Sequence, residues 1–481
     1  MITSVNNKVR KTKIVCTLGP ASLKEDVIED MLRSGMNIAR FNFSHGSHEY
    51  HKEGIELFRR VRDRLKLPAA VLLDTKGPEV RIGLFENNEK VHLKKGQHFT
   101  LTTRDVLGTN EIVSVTYHRL PQNLSVGTRV LIDDGRIAMT VESLTDTDII
   151  CKVVTGGTIS SRKGINIPNV NLDMPYISEA DERDLRFGVE MDVDFIAASF
   201  VRRKEDLIAL RKYIDYYGGH DIRIIAKIEN AEGVDNFDEI LAHCDGIMVA
   251  RGDMGVEIAF EKLPGIQKKF IRKCYQAGKM VITATQMLET MIHSTTPTRA
   301  EITDVANAVF DGTSAVMLSG ETAMGDHPAH VVKVMAKIAE QAEEDALEMK
   351  IYEGVHYDFD YSDTTNAICD AACTTAKDIK AKAIIAVTKS GTTARRVSKF
   401  RPAEPIVAAT PDIKTFHQLA LSWGVSPVLA INQDDTERLF RHAIDCAKQL
   451  DLVEDGDKVV ITAGVPLKLS GTTNILKVQT V

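Results

Sequence analysis

Eight short apolar runs, each ending in polar or glycine-rich residues, constrain the fold of this chain more than any other feature. Several are apolar on both faces, as in AAVLLD at 69–74 and MVITAT at 280–285. Strands that are buried on both faces belong to parallel sheets. The runs span residues 13–18, 37–43, 69–74, 195–200, 222–228, 246–250, 280–285 and 314–318.

Amphipathic helical segments separate most of these runs, for example at 25–34, 204–216 and 299–310. One strand with its helix takes about 30 residues, and most spacings lie near that value. The gap between 74 and 195 is longer and indicates an inserted domain. Eight units with one insertion predict an α/β fold of the (β/α)8 TIM-barrel type. An open doubly wound sheet is the structural alternative.

The inserted segment differs from its surroundings. It consists of short alternating runs broken by Gly, Asp and Asn, the pattern of a small antiparallel β domain of the barrel kind. Hinges at Gly77-Pro78 and Pro175 would let this domain close over the barrel mouth as a lid. We expect the barrel at 1–76 and 174–345 and the lid at 77–173.

A third region begins near residue 346. The polar stretch 352–365 has the composition of a linker. Strand-like runs at 381–388, 405–410 and 458–464 then alternate with helical segments. We therefore predict a compact C-terminal α/β domain at 346–481.

Composition excludes several classes of function. A net charge of −7 argues against a general nucleic-acid binder, which carries a basic surplus. The seven cysteines include no Cys-x-x-Cys pair, as expected of reduced thiols in the cytoplasm. Residues 1–13 contain no apolar signal core, and no stretch approaches the ~20 apolar residues of a membrane span. We expect a cytoplasmic protein with no nucleic-acid or membrane partner.

In a (β/α)8 barrel, the side chains that do chemistry project from the carboxyl ends of the strands. On the second strand Arg40, Asn42 and Ser44 share one face, because successive side chains alternate. A guanidinium at this place suits a phosphate or a carboxylate. An ordinary ion pair at the strand end is the alternative.

The third strand ends in Asp74 and Thr75. A carboxylate after a doubly buried run is costly unless it is paired or binds a cation. Together with Asn42 and Ser44, these residues would form an oxygen-only cage with a single charge. Such a cage suits a monovalent cation as well as it suits internal hydrogen bonding.

The fifth and sixth strands supply acidic groups. Lys227 and Glu229 share a face at the end of one, and Gly252-Asp253 follows the other. Two carboxylates from adjacent strand ends can hold Mg²⁺ or Mn²⁺, with Lys227 facing a transferring phosphoryl group. A Lys–Glu salt bridge that supports the barrel is the alternative, but it does not account for Asp253.

Two further places carry hydroxyl groups. Thr285 and Ser319 follow the seventh and eighth strands and could bind a carboxylate or organise a proton transfer, although each could equally cap a helix. In the C-terminal region a second cluster lies between a strand and a helix. It resembles a phosphate cradle, or else a simple glycine turn, and comprises Thr388, Lys389, Ser390, Gly391, Thr392 and Thr393.

The chain resembles the pyruvate kinase family from end to end. Long segments match in the family's order, which makes chance similarity implausible. They are TKIVCTLGPAS, MNIARFNFSHGSHEYH, LLDTKGPEVR, SRKGINIPN, IIAKIENAEG, MVARGDMGVEI, ITATQMLETMI, PTRAEITDVANAVFDGTSAVMLSGETA and, more loosely, VTKSGTTARRVSKFRP.

The resemblance implies phosphoryl transfer from phosphoenolpyruvate to ADP, giving pyruvate and ATP. It assigns Arg40 to the substrate phosphate, Lys227 to the phosphoryl group in flight, and Glu229 and Asp253 to the divalent cation. Gly252, Asp253 and Thr285 would line the phosphoenolpyruvate site, and Thr285 with Ser319 would belong to the relay that protonates the enolate. The remaining assignments are Asn42, Ser44, Asp74 and Thr75 to K⁺, and Arg81 and Lys163 to the nucleotide phosphates.

The resemblance also implies a homotetramer whose C-terminal domain is regulatory. The 388–393 segment would hold a phosphate of a sugar-phosphate or nucleotide effector. Two positions depart from the family pattern. Met324 stands where many relatives carry Lys, so a nucleotide contact is absent or replaced, and Leu450 lies near the place of a basic residue that holds the second phosphate of fructose 1,6-bisphosphate.

Two other functions fit parts of the pattern. A Mg²⁺-dependent barrel acting on an enolate without ADP, such as a mutase or aldolase, would use the metal site and Arg40 but not Arg81 and Lys163. A metabolite sensor that has lost catalysis would have no need of Lys227, Glu229 and Asp253.

We predict that K⁺ activates the enzyme, because Glu79 follows Gly77-Pro78. Family members with Glu at this place resemble the K⁺-dependent type, whereas those with Lys there tend not to need K⁺. Replacing K⁺ with a bulky organic cation at constant ionic strength should therefore lower the steady-state rate. Full activity without K⁺ would contradict the prediction.

Overall fold

A computed structural model describes residues 9–352, 362–466 and 473–481. Most of the stretch predicted as a linker, 353–361, lies outside these residues. The elements that begin the chain are β1 (Lys13–Thr17), α1 (Glu25–Ser34), β2 (Ile38–Asn42), α2 (His48–Leu65) and β3 (Ala70–Asp74).

The regular elements of the inserted segment are mostly strands. Its elements are β4 (Val80–Arg81), β5 (Val91–Leu93), β6 (His98–Thr102), β7 (Ile112–Ser114), α3 (Leu120–Asn123), β8 (Arg129–Ile132), β9 (Ile137–Leu144), β10 (Asp148–Thr155), β11 (Gly157–Ile159) and β12 (Gly164–Asn166).

Strands and helices then alternate again. The elements are α4 (Glu179–Glu190), β13 (Phe195–Ala198), α5 (Lys204–Tyr216), β14 (Arg223–Ile228), α6 (Ala231–Asp235), α7 (Phe237–Ala242), β15 (Gly246–Ala250), α8 (Arg251–Glu257), α9 (Leu263–Gln276), β16 (Met280–Ala284), α10 (Arg299–Phe310), β17 (Ala315–Leu318), α11 (Gly320–Ala323) and α12 (Pro328–Glu348).

The C-terminal region has its own sheet. Its elements are α13 (Thr364–Asp378), β18 (Ala383–Val387), α14 (Thr392–Lys399), β19 (Ile406–Thr410), α15 (Ile413–Gln418), β20 (Val425–Leu429), α16 (Thr436–Gln449), β21 (Lys458–Ala463) and β22 (Ile475–Thr480).

Eight parallel strands close into a barrel in the order β1-β17-β16-β15-β14-β13-β3-β2. The (β/α)8 prediction is therefore confirmed, and the open sheet is excluded. Alternate side chains separate into two cores, as the pleat requires. Outward residues such as Ala39 and Phe41 pack against the helices. Inward residues such as Ile38 and Ile225 fill the barrel, and Leu421 of the C-terminal region joins them.

The inserted strands form a sheet in the order β4-β12-β8-β9-β10-β6-β7. An isolated bridge between Ile82 and Val115, just beyond the two edge strands, brings these edges together. The expectation of purely antiparallel pairing is wrong for one pair, because β6 and β7 run parallel. The chain between them, through 103–111, crosses back before it pairs.

The C-terminal sheet has five strands in the order β20-β19-β18-β21-β22. Only β22 is antiparallel among the described strands of this sheet, and it lies at one edge. Helix α16 packs on one face, against residues such as Ile385, and α13 and α14 pack on the other, against residues such as Ile384. None of the helices in the described ranges combines the length and the apolar character needed to cross a membrane.

His417, near the end of α15, is buried against the barrel. Its side chain is 7% exposed. Its Nδ1 atom has no hydrogen-bond partner in the described part of the chain. Burial, assisted by the positive charge of Arg62, lowers the pKa of His417 to about 3.

This histidine should make stability depend on pH. An unfolded histidine has a pKa of about 6.5, so below that pH the unfolded state binds a proton that the folded state excludes. The stability that neutral His417 contributes is complete above about pH 6.5. It is lost on acidification, by at most about 1.4 kcal/mol per pH unit. The melting temperature of His417→Asn should therefore fall less than that of the wild type when the pH is lowered from about 7 to about 5. Parallel curves would contradict this.

Candidate active site

The carboxyl ends of the barrel strands surround one buried carboxylate, Asp74, which is 1% exposed. Arg40 Nε lies 2.6 Å from Oδ2 of Asp74, and Lys227 Nζ lies 3.0 Å from Oδ1. Burial alone would raise the pKa of Asp74, but the charges of Arg40 and Lys227 outweigh it and lower that pKa. Asp74 therefore stays ionised between two cations.

Each of these cations has a second partner. Arg40 Nη1 donates to Thr17 Oγ1 at 2.8 Å, and that hydroxyl donates to the Leu318 carbonyl at 3.0 Å. Lys227 Nζ lies 3.0 Å from Glu229 Oε1. Burial disfavours the ammonium, but the Asp74 and Glu229 carboxylates more than compensate and raise the pKa of Lys227.

Glu229 and Asp253 lie close together beyond the ends of β14 and β15. Burial and the negative charge of Asp253 raise the pKa of Glu229, while the positive charge of Lys227 lowers it. The net result is a pKa raised to about 7. Burial likewise raises the pKa of Asp253. A buried carboxylate and a partly buried one, with one shared cation, are the donor set that a divalent cation neutralises. In the described residues no third acidic, His or Cys side chain completes a protein-only metal cage.

The four residues predicted as a monovalent-cation cage lie on neighbouring strand ends. Asn42 and Asp74 are direct partners in the β2–β3 register. The Asn42 Oδ1 atom accepts from the Ser44 amide at 3.1 Å, and Thr75 Oγ1 accepts from the Ser199 amide at 3.2 Å. The side-chain ligands that this set offers are oxygen atoms, which fits a weakly demanding cation.

Thr285 occupies a strained position after β16. Both Thr285 and Gln286 have positive φ, at 70° and 54°. The Arg251 guanidinium holds this turn, donating to the Thr285 carbonyl at 2.6 Å while it pairs with Asp304 at 2.7 Å. In return Thr285 Oγ1 accepts from the Gly252 amide at 2.8 Å. The structure therefore brings Gly252 and Thr285 together beside Asp253. Helix α8 begins at Arg251, one residue before the predicted glycine turn.

Ser319 makes no side-chain cap to α11 within the described residues, so the capping alternative does not hold for it. Its amide instead donates to Glu321 Oε2 at 2.7 Å, while the Leu288 amide donates to Oε1 of the same carboxylate at 3.2 Å. Glu321 thus ties the end of β17 to the loop after β16. Thr285 lies at the start of that loop.

Arg81 and Lys163 are neighbours on the lid, since Arg81 pairs in register with Gly164. Both are engaged in ion pairs, Arg81 with Glu79 at 2.5 Å and Lys163 with Asp133 at 2.7 Å. Both side chains remain partly exposed. Charges of the lid also reach the barrel residues, because Glu79 helps to raise the pKa of Asp253 after the larger effect of burial.

Comparison with known proteins decides the family. The family model "Pyruvate kinase, barrel domain" matches residues 9–332. The model "Pyruvate kinase, alpha/beta domain" matches residues 366–479. This chain belongs to the pyruvate kinase family.

Individual pyruvate kinases match over almost the whole chain. A Clostridium acetobutylicum relative is 46% identical over 474 residues, covering 98% of this chain and 100% of the relative. One from Staphylococcus saprophyticus is 46% identical over 475 residues, covering 98% and 81%. The crystal structure of a Cryptosporidium parvum pyruvate kinase gives a TM-score of 0.90 at 40% identity, covering 98% and 96%. The chain is therefore a phosphotransferase of the pyruvate kinase kind.

Sequence reasoning missed Ser199, which lies at the centre of this pyruvate kinase site. Its hydroxyl contacts Asp74, Thr75 and Lys227. Phe200, with φ of 54°, turns its amide toward Glu229 Oε2 at 2.6 Å. Thr17 was missed as well. The rule about strand ends would have found both Ser199 and Thr17, had it been applied to the first and fourth strands.

The 388–393 segment joins β18 to α14, the position at which the pyruvate kinase resemblance implies an effector phosphate. Gly391 has φ of 79°, and Lys389 is exposed. The Ser390 and Thr392 hydroxyls lie 3.0 Å apart, and the Ser390 carbonyl accepts from Arg395 at 2.6 Å. Thr388 and Thr393 are buried.

Arg251 gives a test of this architecture. Substitution by Met should cost about 1–3 kcal/mol of unfolding free energy, because Asp304 and the carbonyls of Ala284 and Thr285 lose their donor. Catalysis should fall with it, since the positive-φ turn that carries Thr285 loses its support. Urea unfolding and the rate of pyruvate formation measure the two effects.

The matched control for this test is Arg272→Met. Arg272 is an exposed residue of α9, so the same change there removes a guanidinium from solvent rather than from the turn. Both the unfolding free energy and the rate should stay close to those of the wild type. Equal effects at the two positions would contradict the role assigned to Arg251.

Proposed function

We propose that this protein transfers the phosphoryl group of phosphoenolpyruvate to ADP, giving pyruvate and ATP. The single observation that carries the proposal is the convergence of Arg40, Lys227, Glu229 and Asp253 around Asp74. Two cations suit a phosphate, and two carboxylates suit the divalent cation that neutralises it. The family membership supports the same reaction.

We assign Arg40 to the substrate phosphate and Lys227 to the phosphoryl group during transfer. Both are buried and already paired, so they need little reorganisation to face developing charge. Glu229 and Asp253 would hold Mg²⁺ or Mn²⁺, which when bound supplies charge neutralisation for the phosphate and carboxylate oxygens. Gly252, Asp253 and Thr285 would line the phosphoenolpyruvate site.

We assign K⁺ to Asn42, Ser44, Asp74 and Thr75. This assignment is supported by the oxygen-rich donor set. Phosphoryl transfer leaves an enolate, which must then be protonated at carbon. Thr285 and Ser319 are the hydroxyls that we place in the proton relay, since the Glu321 contacts tie their two loops together.

Arg81 and Lys163 are proposed to bind the nucleotide phosphates. Each pairs with an acidic lid residue, and ADP phosphates would replace those partners when the lid closes. Met324, which is 68% exposed, stands where many relatives have Lys and supplies no charge. The two-hinge division into a barrel at 1–76 and 174–345 and a lid at 77–173 would accommodate this closure.

We further propose that the 346–481 region is regulatory and that a sugar phosphate or nucleotide binds at 388–393. The adjacent Ser390 and Thr392 hydroxyls and the exposed Lys389 support this proposal. Leu450 is apolar and partly buried, so a monophosphate suits the site as well as a bisphosphate. A homotetramer in the cytoplasm is the assembly and compartment that we propose from the family resemblance.

A coupled assay for pyruvate, run with and without ADP, tests the function. Pyruvate should form from phosphoenolpyruvate only when ADP is present. Formation of an enolate-derived product without ADP would favour a mutase or aldolase. No product under either condition would favour a metabolite sensor. Adding sugar phosphates and nucleotides along a phosphoenolpyruvate saturation curve tests regulation in the same experiment.

Lys227→Met should lower kcat by about two orders of magnitude or more, because the ammonium acts mainly in the transition state. Glu229→Gln is the matched change at a neighbouring carboxylate, and it should instead raise the Mg²⁺ concentration needed for half-maximal rate. Metal titrations of both variants separate the two effects. A near-normal kcat for Lys227→Met would remove Lys227 from the mechanism.

A further inference from the structure

The Ser199 hydroxyl lies between the proposed K⁺ ligands and Lys227. Its Oγ is 2.6 Å from the Thr75 carbonyl, 3.1 Å from Asp74 Oδ1 and 2.7 Å from Lys227 Nζ. A hydroxyl has one proton to donate, so it can serve Thr75 or Asp74 but not both at once. Its lone pair meanwhile accepts from Lys227. This one side chain therefore contacts both the cation cage and the ammonium.

The main chain around Ser199 is held on several sides. Its amide donates to Thr75 Oγ1 at 3.2 Å, and its carbonyl accepts from the Tyr176 hydroxyl at 2.9 Å. The amide of the next residue, Phe200, donates to Glu229. Ser199 itself is buried. The main chain thus fixes the Cβ atom of Ser199, and the hydroxyl can move only by rotation about the Cα–Cβ bond.

A monovalent cation among these oxygens would change the balance of charge at Asp74. It would attract the same carboxylate that pairs with Lys227, and it would repel the ammonium itself. Lys227 would then depend more on a partner that carries no charge. The Ser199 oxygen is such a neutral acceptor, whereas the Asp74 and Glu229 groups that also contact the ammonium are carboxylates.

We propose that Ser199 is a positioning residue that couples occupancy of the monovalent-cation site to the placement of Lys227. With the cation bound, Ser199 keeps the ammonium in the site while Asp74 releases part of its hold. The charge of Lys227 is then available to the transferring phosphoryl group. The inference deepens the proposed function and rests on it for the identity of the cation site.

Ser199→Ala tests the coupling, with Ser314→Ala as the matched control. Ser314 is also buried, but its hydroxyl accepts from the Val281 amide at the opposite end of the barrel. Rates are measured in K⁺ and in tetramethylammonium at equal ionic strength. The ratio of the two rates should fall about tenfold in Ser199→Ala, the effect of losing a hydrogen bond to a charged group, and should not change in Ser314→Ala.

A second measurement needs neither substrate nor turnover. A small acetylating reagent labels lysines, and peptide mass spectrometry follows Lys227 relative to the exposed Lys152 of the lid. K⁺ should speed the labelling of Lys227 several-fold in the wild type, because the ammonium is held less strongly by Asp74. In Ser199→Ala, where no neutral acceptor retains the ammonium once Asp74 is weakened, K⁺ should speed the labelling of Lys227 more than it does in the wild type. Melting temperatures within a few degrees confirm that all three proteins are folded.

The outcomes distinguish failure of the inference about Ser199 from failure of the proposed function. The inference is overturned if the response to K⁺, in rate or in labelling, is the same in Ser199→Ala as in the wild type. It is also overturned if K⁺ does not change the labelling of Lys227 in the wild type. A wild type that labels as expected but makes no pyruvate from phosphoenolpyruvate and ADP overturns the proposed function instead. The labelling result still decides the role of Ser199 in that case.

Discussion

The pairing of Asp74 with Arg40 and Lys227 is the interaction on which the rest of the site depends. An isolated carboxylate buried this deeply would be strongly disfavoured, and so would either cation without it. The three charges stabilise one another only because further groups complete them, Thr17 beside Arg40 and Glu229 beside Lys227. The consequence is a set of side chains that is positioned before any ligand arrives. Removing one member would leave its partners buried and uncompensated.

The same strand geometry produces both the core and this charged cluster. Ile225 and Lys227 of β14 face the barrel interior, and Glu229 follows on the same face just after the strand. The apolar residues that fill the barrel are therefore replaced by charged site residues within a few positions. Closure into a barrel brings the corresponding positions of β2, β3 and β15 to the same end. Most helices outside the barrel contribute apolar packing, whereas α8 also carries Arg251, Gly252 and Asp253 of the site. Substitutions of the outward-facing residues are therefore expected to change stability, whereas substitutions at the carboxyl ends of the strands are expected to change catalysis.

Much of this architecture could be predicted because its signals are local. The helices at 25–34, 204–216 and 299–310 have the bounds that the pattern indicated, and the last has a capping box between Thr298 and Glu301. Long-range contacts gave no such signal. Ser199 meets Asp74 across 125 residues, and the parallel pairing of β6 with β7 depends on a crossover that periodicity does not encode. The roles of Arg81 and Lys163 stay predictions, since both side chains pair with acidic residues of the inserted domain.

The position of Leu421 affects how the barrel folds during synthesis. It belongs to the C-terminal region, yet its side chain fills the interior of the barrel together with residues such as Val15 and Met317. A ribosome completes β17 at Leu318 well before it reaches Leu421. At about 5–20 residues per second, the newly synthesised barrel lacks Leu421 in its interior for roughly 5–20 s. Chaperones that bind exposed apolar surface would have that interval in which to engage it.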